Sequence, residues 1–325
     1  MRSIMKSSKL FTSVMLALAV SPMVLAQEPT FTSQENVTYG QGAVVKDGKT
    51  SDRELKMDVF IPNAELPTAA IFMTFGGSFH RGNPHLPYNM EGAQTTSMRE
   101  YCKIFVEQGY ACFNIDYRVA PELPIPHRAT YKESAVNMDA IPKLEGQVNI
   151  VRSIMNLERL DLSKNSDQKI IENAILSGAE DLQSAVRYVK ANADTFNIDA
   201  DKIILGGFSA GAIHSINVSH GMQEPVAGTM MLGTAELGFN LRETVRTAED
   251  ANPILMFLGQ YDLPAALAET PALLSHYKKI GVDYEFNWVP GAGHFYPSGA
   301  VALDGDGIRL SVEERMLNFV ERVTQ

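Results

Sequence analysis

The chain has 325 residues, with 38 acidic against 28 basic side chains and a formal net charge of −10. That excess of carboxylates disfavours nucleic acid and anionic membrane surfaces as partners, since both need basic patches. It leaves neutral substrates open.

Arg2, Lys6 and Lys9 precede an apolar run from Leu10 to Val20, and Val24-Leu25-Ala26 ends the segment on a small residue. The pattern predicts a secretory signal peptide over 1–26, cleaved after Ala26. The rival is an uncleaved anchor, but the apolar core is short for a bilayer span. Residues 27–325 then form one α/β domain of net charge −13, periplasmic or extracellular, with no stable membrane anchor.

From residue 36 onward strand and helix patterns alternate, without repeats or low-complexity linkers. Residues 54–61 alternate polar and apolar side chains before Pro62, as a half-exposed strand does. Residues 69–75 are almost continuously apolar, the mark of a buried parallel strand. A helix is expected over 101–108, ended by Gly109, with the next strand over 112–116. Cys102 and Cys112 fall on these two elements. Their spacing allows a disulfide in an oxidising compartment and equally allows two buried thiols. No histidines cluster near them, so no metal site is expected.

Residues 123–177 occupy the place of a short crossover. Leu144, Val148, Val151 and Met155 share one helical face, and Ile170, Ile171 and Ile175 point to a second helix. An insertion leaving the carboxyl end of a sheet strand should hang over the site as a lid or acyl-pocket wall. The alternative is a helical pair packed on the side. Leu182, Ala185, Val186 and Val189 then mark an amphipathic helix.

An apolar strand ending in Ile203-Ile204-Leu205-Gly206 runs into Gly207-Phe208-Ser209-Ala210-Gly211, which is G-x-S-x-G in a strand–turn–helix setting. Glycines are needed at 207 and 211 because a Cβ there would collide with the neighbouring strand or helix. Ser209 is thereby presented at the top of a sheet. Further strands are expected over 228–232, 254–258 and 284–289, and a last helix carries Val312, Met316, Phe319, Val320 and Val323. This alternation predicts a mostly parallel sheet covered by helices on both faces, with ligands at the carboxyl ends of its strands.

A serine hydroxyl needs a base, and the base needs an orienting group. Asp262 follows the strand 254–258 and His294 follows the strand 284–289, on the rim that Ser209 occupies. Taken singly, Asp262 also suits a helix N-cap before Leu263-Pro264, and His294 a loop histidine packed by Tyr296. Three such residues in the order serine, acid, histidine point instead to a catalytic triad. His80, His85, His127, His214, His220 and His276 lack that placement, and His276 looks helical and exposed.

Phe75-Gly76-Gly77-Ser78-Phe79-His80-Arg81-Gly82 resembles the H-G-G-G-F-x-x-G loop of lipases and esterases. Asp116-Tyr117-Arg118-Val119-Ala120-Pro121-Glu122 is similar to the D-Y-R-x-A-P-E signature of hormone-sensitive-lipase-like carboxylesterases. With the serine motif the resemblance covers residues 68–297. It implies an α/β-hydrolase fold and a serine esterase with no cofactor. Gly77, Ser78 and Ala210 would supply the oxyanion-hole N–H groups, with Gly76 a weaker candidate. The chain departs from the family at Phe75, which replaces a histidine that helps fix the loop, and at Ser78, which replaces a glycine. Residues 235–253 are too few for the helical cap many of these esterases carry. Either 123–177 replaces that cap or the chain is a smaller, polysaccharide-esterase-like relative. Asp116 and Arg118 read as an ion-paired loop supporting the hole. Asp304-Gly305-Asp306-Gly307 lacks the spacing of a calcium loop and reads as a turn.

The expected function is a secreted serine carboxylic-ester hydrolase for short-chain acyl or polysaccharide-linked (acetyl or feruloyl) esters. Its competitors are a serine peptidase or amidase and, further off, a non-catalytic binding protein on the same fold. Oligomeric state is not legible in one sequence.

Overall fold

Asp47 and Gly48 both take left-handed backbone conformations, with φ of 52° and 71°, as a two-residue hairpin turn requires. They fold β1 (Phe31–Lys46) back on β2 (Lys49–Pro62) as an antiparallel ribbon. Hydrophobic patterning places the first strand at 54–61 and misses β1, whose first half is largely exposed. The Asp-Gly pair is the signal that points to it. The structure is a computed structural model, and it describes residues 30–90, 92–233 and 236–325. The expected signal peptide lies outside these residues.

The sheet continues with β3 (Thr68–Thr74), β4 (Ala111–Ile115), β5 (Ile198–Phe208), β6 (Gly228–Leu232), β7 (Ile254–Gly259) and β8 (Tyr284–Val289). A small hairpin, β9 (Val301–Leu303) and β10 (Arg309–Ser311), closes its far edge. The order is β1-β2-β4-β3-β5-β6-β7-β8-β9-β10. The six strands from β4 to β8 in that order are parallel to one another, and β1, β2, β9 and β10 add antiparallel edges. Asp304–Gly307 forms the turn between β9 and β10, as expected.

The principal helices are α1 (Met98–Glu107), α2 (Glu145–Ile154), α3 (Asn165–Ala191), α4 (Ala210–Ile216), α5 (Pro264–Ile280) and α6 (Val312–Thr324). Because side chains alternate along a strand, Ile203 and Leu205 join Leu182, Val186 and Leu273 in the core on one face. Ile204 joins Phe105, Met316 and Phe319 on the other. β3, β4, β6 and β7 are buried on both sides, which is why they read as almost continuous apolar runs, whereas β8 is partly exposed and mixes polar with apolar residues.

The second helix expected within 123–177 and the amphipathic helix at 182–189 are one continuous helix, α3, of 27 residues. The insertion therefore has no boundary at Gly178. That glycine is a packing position, since a Cβ on it would lie 2.4 Å from both Cε1 and Nε2 of buried His214. Gly→Ala inside a helix ordinarily stabilises by about 1 kcal/mol. Here Gly178→Ala should instead destabilise by about 1–3 kcal/mol through overpacking. A raised midpoint of denaturant unfolding in that variant would show the ring can yield.

Cys102 on α1 and Cys112 on β4 form a disulfide with a Cα–Cα distance of 5.2 Å. Closing a loop of 10 residues this way contributes about 2–3 kcal/mol through the unfolded state. Unfolding with and without reductant should differ by that amount. Identical midpoints would rule the bond out.

Asp116 and Arg118 do not pair with each other. Asp116 meets Arg53 at 2.9 Å, while buried Arg118 grips Asp181 of α3 at 2.7 Å and donates to the Ala43 and Ile125 carbonyls. Each buried or half-buried charge thus has its own counter-ion.

Candidate active site

The sharp turn between β5 and α4 has no room for side chains. A Cβ on Gly211 would lie 2.0 Å from the Thr74 carbonyl oxygen, and one on Gly207 2.6 Å from the Gly211 carbonyl carbon. Ser209 between them is held at φ 53°, ψ −120°, a strained conformation for a residue with a Cβ. Its N–H is tied to the Leu232 carbonyl at 2.8 Å, which leaves the hydroxyl facing the rim.

His294 and Asp262 arrive from the carboxyl ends of β8 and β7. His294 Nε2 lies 2.9 Å from Ser209 Oγ, and its Nδ1 lies 2.6 Å from Asp262 Oδ1. A carboxylate only accepts hydrogen bonds, so Nδ1 carries the proton and Nε2 is left to accept from the serine hydroxyl. Asp262 is itself fixed by N–H donors, from Leu263 to Oδ1 at 2.7 Å and from Gly259 to Oδ2 at 3.1 Å. Both Asp262 and His294 are buried. Asp262 does not cap α5, whose N-cap is Leu263.

The loop after β3 is preorganised through its carbonyls. Phe75 O accepts from Tyr117 Oη and Gly76 O from Tyr88 Oη. Gly77 O accepts from the N–H groups of His80 and Arg81, Ser78 O from His80 Nδ1, and Phe79 O from the Ala120 N–H. Five successive carbonyls are thus turned inward. Among the described residues nothing accepts from the N–H of Gly77, Ser78 or Ala210. Gly77 sits at φ 110°, where a Cβ would meet the Arg81 carbonyl oxygen at 1.7 Å, and Ser78 and Phe79 follow at 53° and 62°.

Phe75, in place of a loop-fixing histidine, stacks on Tyr117 with ring centroids 4.3 Å apart. The missing imidazole is supplied five residues later by His80. Arg152 of α2 can only donate, so at 3.1 Å it makes His80 Nε2 the acceptor and leaves Nδ1–H for the Ser78 carbonyl at 2.8 Å. Burial pushes the His80 imidazole down to about 4, which keeps it in this neutral form. The insertion thereby bears directly on the loop. His276, expected to be exposed, is half-buried and bonds to the Val245 carbonyl.

Two openings meet at Ser209, and both are lined by Ser78, Gln147 and His294. One leads to an apolar cavity of about 330 Å³ walled by Leu144, Val148 and Ile150 of the insertion and by Ile213, Leu263 and Ala266. The other is a narrow cleft of about 10 Å³ between Arg81, Tyr88, Met90, Val151 and Phe295. Ala210 lines the cavity and Gly77 the cleft, so the expected oxyanion donors border the same space as the serine. Among the described residues no group of histidine, cysteine and acidic side chains could hold a metal.

Comparison with known proteins agrees with this fold. The BD-FAE family model matches residues 166–225. Thermogutta terrifontis esterase 2, in a structure phosphoramylated by tabun, superposes with a TM-score of 0.55 at 16% identity, covering 91% of this chain and 94% of that one. An alpha/beta hydrolase enzyme from a Medee basin deep-sea metagenome library gives 0.54 at 14% identity, over 90% and 98%. A truncated carbohydrate esterase from gut microbiota gives 0.53 at 18% identity, over 92% and 99%. No curated protein sequence matches. The chain has the α/β-hydrolase fold.

Within this fold the structure brings together Ser209, Asp262 and His294, the three residues that the sequence pattern singles out. That pattern does not single out His80, Arg152, Gln147 or Arg81. The H-R dipeptide inside the loop was the available signal for His80 and Arg81. Nothing local marks Arg152 or Gln147, because their roles come from where α2 packs.

Proposed function

We propose that the protein is an exported serine carboxylic-ester hydrolase working through Ser209, His294 and Asp262. The observation that carries this is the hydrogen-bonded chain from Ser209 Oγ through the His294 ring to Asp262, at 2.9 and 2.6 Å. His294 Nε2 takes the hydroxyl proton as Oγ attacks the ester carbonyl. The oxyanion rests on the N–H groups of Gly77, Ser78 and Ala210. His294 then protonates the departing alcohol, and the acyl group remains on Ser209. Water, deprotonated by the same nitrogen, releases the acid, while Asp262 stabilises the imidazolium in both halves.

The 330 Å³ cavity suits the acyl half, being within the usual size of small-molecule sites, about 300–1,000 Å³. Leu144, Val148 and Ile150 on its wall favour the reading of 123–177 as an acyl-pocket wall. Short-chain acyl or polysaccharide-linked acetyl and feruloyl esters are the substrates this reading favours. The propionate-bound esterase and the carbohydrate esterase among the structural neighbours are consistent with it. A disulfide between Cys102 and Cys112 supports an oxidising compartment, in keeping with cleavage after Ala26.

The test is hydrolysis of nitrophenyl esters from acetate to palmitate. Activity on short chains, falling toward palmitate and absent in Ser209→Ala, is expected. A folded protein inert on every ester would turn the assignment toward an amidase.

A further inference from the structure

The chain is acidic, and most of its guanidiniums meet carboxylates: Arg53, Arg118, Arg128 and Arg322 each hold two. Arg81 is an exception, and it lines the cleft at Ser209. Among the described residues no carboxylate pairs with it. Among those residues its buried Nε has no hydrogen-bond partner, and Nη2 meets the Met90 thioether at 3.4 Å, a weak acceptor. The guanidinium is nevertheless held in place. Its Cζ lies 5.5 Å from the centre of the Tyr88 ring, and the Tyr88 hydroxyl is anchored on the Gly76 carbonyl. A second cation, Arg152, neighbours cleft-lining Val151 and also has no ion pair among the described residues; its donors go to His80 Nε2 and the Glu158 carbonyl.

A preordered guanidinium with donors to spare, lining the cleft of the nucleophile and without a carboxylate partner among the described residues, is a receptor for a planar anion. An ester has two halves, and two openings meet at Ser209. The apolar cavity takes the acyl half, so the alcohol half falls to the cleft. The cleft encloses only about 10 Å³, close to the room one water needs, so it admits no more than the carboxylate group at its mouth, and the ring or sugar that carries it lies outside.

We propose that Arg81 binds a carboxylate carried by the alcohol half of the substrate, so that the preferred substrates are acyl esters of hydroxy acids or of acidic sugars. This presupposes the esterase activity proposed above.

The decisive comparison uses the full chain with 4-acetoxybenzoate and its neutral partner 4-acetoxybenzamide, alongside nitrophenyl acetate. We expect kcat/KM to favour the carboxylate by about tenfold at low salt and the preference to shrink as salt is added. Arg81→Gln should bring the ratio of the pair to about one, with Arg81→Lys between, since an ammonium lacks the planar fork. Equal turnover of the pair by the wild-type protein, or a preference that survives in Arg81→Gln, overturns the proposal. A preference for 4-nitrophenyl hemiglutarate over the neutral butyrate, without one for the acetoxybenzoate, overturns the assignment to the alcohol half. Loss of nitrophenyl acetate hydrolysis from the wild-type protein would defeat the esterase assignment separately. Calorimetric titration of Ser209→Ala with both acetoxy compounds reads the carboxylate preference without turnover.

Discussion

Ser209→Ala should fold like the parent and lose about 10⁶ in kcat, the scale found when a triad nucleophile is removed. The hydroxyl makes no contact that supports the fold beyond its bond to His294. The backbone tie from Ser209 N–H to Leu232 is independent of the side chain, so the elbow survives. What remains is the transition-state binding by free N–H groups, which acts whether or not a nucleophile is present. Ser209→Gly offers a second check. Glycine relieves the strain at φ 53°, so this inactive variant should be about 1 kcal/mol more stable than Ser209→Ala. Turnover within tenfold of the parent in either variant would remove Ser209 from the mechanism.

Asp262→Asn should lower kcat by about 10⁴ with little change in KM, as for the aspartate of a serine-protease triad, and should lose about 1–3 kcal/mol of stability from the buried donor left unsatisfied. An amide has one acceptor oxygen where Asp262 uses two. With that oxygen on His294 Nδ1 and the Leu263 N–H, the new NH₂ faces the N–H of Gly259, donor against donor. Turned over, the NH₂ faces the Leu263 N–H instead, and it donates to Nδ1 and forces the ring proton to Nε2. Nε2–H can no longer accept from Ser209, and the base is lost. Near-normal kcat in Asp262→Asn, measured on a nitrophenyl ester, would transfer the acid role to another carboxylate.

The loop from Phe75 to Phe79 is held without a histidine at position 75. Tyr117 and Ala120, from the Asp116–Glu122 signature, tie down its two ends through the Phe75 and Phe79 carbonyls, and His80 holds the middle. Such a loop carries two non-glycine residues at positive φ, strain of about 1–3 kcal/mol each that only surrounding bonds can hold. Its N–H groups are thereby directed outward before any substrate arrives.

The sequence by itself determined the parallel strands, the elbow and the order Ser209, Asp262, His294. Each of these is dictated locally: burial on both faces makes a strand continuously apolar, and crowding at 207 and 211 admits only glycine. The hairpin strand β1 escaped because an exposed edge leaves no apolar period, and α3 was divided because Gly178 resembles a break. The tertiary structure alone decided which polar groups meet. Arg152 reaches His80 across 72 residues of sequence, and Arg118 reaches Asp181 across 63. Hydrophobic burial stamps a periodic pattern on the chain, whereas a hydrogen bond between distant residues depends on how α2 and α3 come to rest on the sheet.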